Sequence, residues 1–220
     1  MHEERHDGPP RRNAFDALAQ ALQELENRYE CAGRATVGDI LEPLGDRAGG
    51  LGAALFALPF LGPISLGPLT TVASVVIALI GIGLLSDREE SPIPRRIRSM
   101  TVPRAAYRAL RGALHRLPEW MRRGHHASPR WLQGSRGRLV CGVGMIVAAA
   151  LLAVPIPFMP LTNSLPALSI IGFSLGWANQ DGRLARFGVS MLLASVALFV
   201  ALGVAVSTIG FAAVRAAVSF

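Results

Sequence analysis

The chain has 220 residues, of which 51% are hydrophobic and only 17% charged, with a formal net charge of +7 and a mean hydropathy of +0.39. Soluble domains carry about a quarter of their residues charged, so this depletion points to lipid as part of the solvent and excludes a disordered, collagenous or disulfide-rich secreted chain. All 22 basic residues are arginine, which reflects coding bias more than chemistry.

The charge is sorted along the chain. Asp87 to Arg138 holds thirteen arginines against four acids, whereas Ala48–Ser86 and Leu139–Gln180 hold no formal charge. An ionised side chain at the centre of a bilayer costs at least ~2.5–3.5 kcal/mol, and a bilayer is the simplest environment that separates residues in this way. Cys31 lies in a polar segment and Cys141 in an apolar one, so a disulfide between them would have to join water to hydrocarbon.

Residues 1–13 are charged, contain proline and lack the apolar core of a signal peptide; they are expected to be disordered, with insertion through the chain's own helices. Residues 14–47 are expected to form cytosolic amphipathic helices. Phe15, Leu18, Leu22, Leu25 and Tyr29 repeat at helical spacing, and Thr36 with Asp39 has the spacing of a capping box.

Residues 48–86 form the first membrane hairpin. Its first arm, Ala48–Gly62, is short; Pro59, Pro63 and Pro68 enforce a turn; and Leu66–Leu85 supplies the 20 residues that a span needs. Residues 139–180 repeat the plan, with Ala53–Pro59 laid over Ala149–Pro155, Pro68 matched to Pro166, and a cluster of Pro155, Pro157, Pro160 and Pro166 before an arm that runs to Ala178. The uncharged, apolar apices fit re-entrant breaks within the membrane, where freed backbone must be satisfied by protein or by a wet cavity. The competing arrangement is a pair of ordinary hairpins whose turns emerge on the far side.

The intervening residues 87–138 form an arginine-rich cytosolic or interfacial segment. From Ser99 to Trp120 the pattern predicts one helix, capped by Thr101, with Arg104, Arg108 and Arg111 on the face that meets anionic lipid. A basic patch with an apolar face beside membrane spans argues against nucleic-acid binding. Residues 181–187 are a charged cytosolic connection, and 188–220 hold the C-terminal transmembrane helix, its apolar run extending from Gly188 to Val214. The fold class is therefore all-α and integral to the membrane: two proline-broken re-entrant hairpins as an internal repeat, a C-terminal span and cytosolic amphipathic helices. With both repeats starting and ending on the cytosolic side, the duplication is parallel.

No catalytic, cofactor or metal motif stands out. His125 and His126 are adjacent and lack partners at ligand spacing, and no glycine loop ends in lysine.

The succession Gly38-Asp39-Ile40-Leu41, Leu44-Gly45-Asp46-Arg47, Leu58-Pro59, Pro94-Arg95-Arg96, Pro129-Arg130, Pro155-Ile156-Pro157-Phe158, Leu165-Pro166-Ala167 and Asp181-Gly182 resembles the exopolysaccharide synthesis ExoD family of bacterial inner-membrane proteins, from about Thr36 to about Ala201. The chain departs from that pattern at Ser91–Pro94 and at Phe158-Met159-Pro160. The resemblance implies a link to an acidic exopolysaccharide or similar envelope polymer and supplies no reaction. The expected function is assistance of exopolysaccharide synthesis or export by a multi-pass inner-membrane homodimer without enzymatic activity. A saccharide or lipid-linked saccharide is expected to bind at Ser65, Thr70, Thr162, Asn163 and Ser164, with Asp39, Asp46, Arg47 and Asp181 at the cytosolic mouth. The alternatives are a membrane enzyme that uses Asp46 or Asp181 on a lipid-linked saccharide, and a ligand-free assembly factor that docks a partner through its arginines.

Overall fold

The computed structural model describes residues 14–42, 48–61, 68–86, 95–102, 134–154 and 160–218, together with 104, 107–108, 110–112, 119, 129 and 131–132. Ser65, Asp46, Arg47 and residues 1–13 lie outside the described residues, as do His125 and His126. The helices are α1 (Ala14–Ala32), α2 (Val37–Leu41), α3 (Ala48–Ala57), α4 (Pro68–Leu85), α5 (Arg95–Arg98), α6 (Ser135–Leu152), α7 (Pro160–Ala178) and α8 (Gly182–Val218). A 3₁₀ turn, Leu58–Leu61, closes α3.

Leu18, Ala21, Leu22 and Leu25 make the buried stripe of α1, as their three- and four-residue spacing dictates. Gly33 ends the helix at φ +67, a conformation that L side chains adopt at a cost. Thr36 caps α2 through the full capping box: its backbone N–H and its hydroxyl both donate to Asp39 Oδ2 at 2.8 Å, and the Asp39 amide returns a bond at 3.3 Å.

The arginine-rich segment differs from a single helix running from Ser99. Thr101 forms an antiparallel bridge with Thr36, with Val37 N–H donating to the Met100 carbonyl at 2.9 Å and Val102 N–H to the Ala35 carbonyl at 2.8 Å. The extended Met100–Val102 stretch satisfies backbone groups beside the α1–α2 turn that a helix there would leave unpaired. Tyr29 donates its hydroxyl to the Val102 carbonyl and tilts against Tyr107 with ring centroids 5.6 Å apart.

The apolar helices form a ring. α3 packs on α4 and α7, α6 packs on α4 and α7, and α8 lies along the outside of α7. Leu51, Leu58, Phe60, Ile77, Ile80, Met145, Ile170 and Phe173 fill the interior. Glycines set the closest approaches: a Cβ on Gly172 would lie 2.7 Å from the Gly188 backbone, and one on Gly144 would lie 2.5 Å from the Phe173 ring. Small residues that let helix backbones close together are the usual packing device where lipid replaces water.

α6 (Ser135–Leu152) and Gly182–Thr208 of α8 are long and apolar enough to cross a membrane by length and composition, and the most apolar 18-residue window of the α8 stretch is only 6% buried. Two details depart from the sequence pattern. α7 starts at Pro160 and carries Pro166 inside it, so Pro166 belongs to the arm and not to the break. With no N–H, Pro166 cannot make the helical bond to the Thr162 carbonyl. Asp181–Arg186, expected as a connection, is instead the cap and opening turns of α8: Asp181 Oδ1 accepts the Arg183 N–H at 2.8 Å.

Candidate functional site

The 3₁₀ turn that closes α3 meets the start of α7: Ser164, in the first turns of α7, lies 3.4 Å from the carbonyl of Phe60 in that turn and donates to it. Thr162 beside it is fully buried. The Asn163 Oδ1 is buried without a hydrogen-bond partner. Leaving such an acceptor unpaired costs about 1–3 kcal/mol, and an unexplained orphan of this kind invites a functional reading. Thr70, in the first turn of α4, is 8% exposed, and its carbonyl accepts the Ser74 hydroxyl at 2.8 Å.

α4 and α7 open on the same tripeptide, Pro68-Leu69-Thr70 and Pro160-Leu161-Thr162. Each proline sits at the first helical residue, where its missing N–H costs nothing. Pro68 and Pro160 thus hold the same place at the start of their helices, as do Thr70 and Thr162, whereas Pro166, matched to Pro68 in the sequence, lies inside α7.

Of the acids expected at the mouth, Asp39 and Asp181 have structural duties. Besides its capping bonds, Asp39 stands 3.5 Å from Arg28. Burial pushes its carboxyl upward, but the Thr36 bonds and the Arg28 charge outweigh that and hold it below the ordinary range. Asp181 is 2% exposed; it follows the turn in which its own N–H reaches the Gly176 carbonyl at 2.8 Å and Gln180 N–H reaches the Trp177 carbonyl at 3.1 Å. Those two bonds are the Schellman pattern that satisfies the last carbonyls of α7.

Of the arginines expected to meet anionic lipid, Arg104 and Arg108 are exposed. Arg111 is also exposed, and it reaches Glu26 of α1 at 2.6 Å. Burial raises the Tyr29 phenol, with Arg104 opposing. Two serines unremarked in the sequence tie helices together: Ser169 donates to the Gly188 carbonyl at 2.9 Å, and Ser174 bonds the Gly50 carbonyl. Their partners lie in other helices, so no local pattern marks them. Among the described residues, no group of three or more His, Cys, Asp and Glu side chains is placed to hold a metal.

The family model for exopolysaccharide synthesis, ExoD, matches residues 18–201. Protein ExoD of Rhizobium meliloti (strain 1021) is 29% identical over 210 residues, covering 92% of this chain and 82% of its own. An uncharacterized protein of Synechocystis sp. is 26% identical over 176 residues, covering 78% of this chain and 80% of its own. No solved structure matches the chain. A family match over most of the length, with a relative alignable almost end to end, places this chain in the ExoD family of exopolysaccharide synthesis proteins.

Proposed function

We propose that the chain is a multi-pass inner-membrane protein that assists exopolysaccharide synthesis or export by binding a saccharide or lipid-linked intermediate at its proline breaks. The observation that carries this reading is the buried, partnerless Asn163 amide oxygen beside the Ser164–Phe60 contact. A sugar hydroxyl is a donor of the right size for an orphan acceptor in a water-poor site.

Lengths support a re-entrant placement. α3 and its 3₁₀ turn, Ala48 to Leu61, extend about 23 Å, short of the ~30 Å hydrocarbon core. Ser169 on α7 stands level with Gly188 on α8. From that level α7 reaches back to Pro160 over about 14 Å, whereas α8 runs on to Val218 over about 45 Å. If α8 crosses the bilayer, the breaks lie at partial depth. Arg136, Arg138, Arg183 and Arg186, in the first turns of α6 and α8, then mark the cytosolic side, and the exposed Leu193, Val196, Val200 and Val204 face lipid.

Asn163→Ala and Thr162→Ala are expected to lower polymer yield in cells that keep normal levels of the membrane-inserted protein. Unchanged yield at equal protein level removes the site. A labelled cysteine introduced at Asn163 stays inaccessible to an impermeant reagent if the break is re-entrant and reacts from outside if the turn emerges.

A further inference from the structure

We infer that the outward face of α8 seats an anionic phospholipid, its phosphate held by Arg183 and Arg186 and its chains lying along the apolar stripe that follows them; this rests on the reading that α8 crosses the bilayer with its start on the cytosolic side. Arg183, Arg186, Ser190, Leu193, Ala197 and Val200 succeed one another at alternating steps of three and four residues, and all six are exposed. Such steps place them on one face of the helix. Leu184, Ala185, Gly188 and Ser195 on the other side are buried, and Gly188 meets α7 at the Phe173 backbone. Two charges therefore head the very face whose apolar members stand clear of the bundle.

The stripe has the depth of one leaflet. Ser190 to Val200 rises about 15 Å, half of the ~30 Å hydrocarbon core, and Leu193 and Val200 are 64% and 60% exposed. Arg186 is braced at its head: Nε donates to the Gly182 carbonyl at 3.2 Å, which draws the guanidinium back toward the helix start. At that same end Pro129 packs on Gly182, where a Cβ would lie 2.4 Å from its ring. Trp131, two residues on, is half-buried, as befits a side chain at headgroup level.

The charges select the occupant. Among the described residues, no carboxylate pairs with the side chain of Arg183 or Arg186; Asp181, close by in sequence, is 2% exposed and accepts the Arg183 backbone N–H. A planar guanidinium offers a phosphate two parallel N–H···O bonds, and two arginines three residues apart reach the same side. Two copies of the chain inserted the same way would meet along this face in parallel, setting each arginine pair against its own equivalent, and like charges so juxtaposed are costly. An anionic phospholipid neutralises both arginines and covers the stripe with its chains.

The test uses the full-length protein, with Cys31→Ser, in mixed vesicles of phosphatidylcholine and phosphatidylglycerol. A thiol-reactive fluorophore is placed either on Val196→Cys, exposed beside the stripe, or on Ile82→Cys, exposed on α4, a helix without arginine; Cys141 is buried. Each lipid is supplied in turn with brominated chains, which quench on contact. At Val196 phosphatidylglycerol is expected to be enriched about tenfold or more over phosphatidylcholine at equal mole fraction, and at Ile82 the two should quench alike. Arg183→Gln and Arg186→Gln should each lower the enrichment about fivefold, and Arg186→Lys, which keeps the charge but loses the fork, should lower it as well. Equal quenching by the two lipids at Val196 with both arginines in place overturns the site and leaves α8 in the bilayer, however the arginine variants fold. No quenching by either lipid at Val196 overturns the crossing of α8 and the site with it. The same enrichment at Ile82, or one that survives Arg186→Lys in full, overturns the site in favour of a diffuse attraction to the whole protein. Disulfide pairing of Leu193→Cys between two copies in vesicles that contain phosphatidylglycerol overturns it in favour of a second copy on this face.

Discussion

The Ser174 hydroxyl on α7 donates to the carbonyl of Gly50 on α3 and accepts the Ala54 amide at 3.1 Å. Gly50 and Ala54 stand one turn apart and would pair with each other in a regular helix. A hydroxyl from the neighbouring helix is thus inserted into the ladder of α3, one of the recognised causes of local bending. Ser174→Ala is expected to cost about 1–2 kcal/mol, because the tie between helices is lost while the two backbone groups can close on each other. Ser174→Val should cost more, since the added methyl pushes α3 from α7. Thermal unfolding in detergent should rank wild type, Ala and Val in that order; an Ala variant as stable as wild type would show that the tie carries nothing.

Phe173 is held between two glycines of different helices. A Cβ on Gly144 would lie 2.5 Å from its ring, and one on Gly188 would lie 2.8 Å from its backbone. Both contacts are too short for any side chain to enter without moving α6 or α8 off α7. Gly144→Ala is expected to destabilise by about 1–3 kcal/mol as an overpacked core. Gly203, in the exposed part of α8, has nothing within 4 Å of such an atom, so Gly203→Ala should be neutral or gain up to about 1 kcal/mol in helix propensity. Equal melting temperatures for the two variants would contradict the packing described.

These relationships also mark where the sequence was readable. The stripe of Leu18, Leu22 and Leu25 and the Thr36–Asp39 box are local, set by spacings of three and four residues, and both stand in the structure. The long arm ending at Ala178 was visible for the same reason. Ser174 and Gly50 are separated by most of the two hairpins, and neither residue carries a signal that the other exists. The same holds for Thr36 and Thr101, whose pairing replaces the helix start expected there. Gln180 takes φ 53 at the end of α7, a position where sequence reasoning looks for glycine; its side-chain N–H₂ bond to the Trp177 carbonyl at 2.9 Å helps the turn tolerate a Cβ. Of the expected site, Thr162, Asn163 and Ser164 share one turn because they are consecutive, whereas their meeting with Phe60 is tertiary.

Acid should loosen the α1–α2 corner through Asp39. Its carboxyl is held below its ordinary value of 3.8 in the folded chain, so the unfolded chain binds that proton more tightly. The stability it contributes is present above the ordinary value and is lost as pH falls from there through the folded value. Asp39→Asn is expected to lower stability at pH 7 by about 0.5–1 kcal/mol, the range of a capping interaction. The gap in melting temperature between the two proteins should close below about pH 4. A gap that stays constant down to pH 3 would mean that the carboxylate charge plays no part.

The arginines of the central segment should not contribute equally to anionic lipid. Arg104 and Arg108 are exposed, whereas Arg111 spends its charge on Glu26 at 2.6 Å, and that contact also bridges α1 to the segment that carries Tyr107. An arginine free to meet an anionic leaflet adds about 1 kcal/mol, or roughly fivefold in affinity. Arg104→Gln and Arg108→Gln should therefore each reduce the phosphatidylglycerol retained by detergent-purified protein, and added salt should erase the difference. Arg111→Gln should change retention little while loosening α1, detectable as faster amide exchange along that helix. Glu26→Gln provides the decisive comparison, because releasing Arg111 from its partner should raise lipid retention above wild type. If Arg111→Gln lowers retention as much as Arg104→Gln does, the ion pair does not withhold that charge from the membrane.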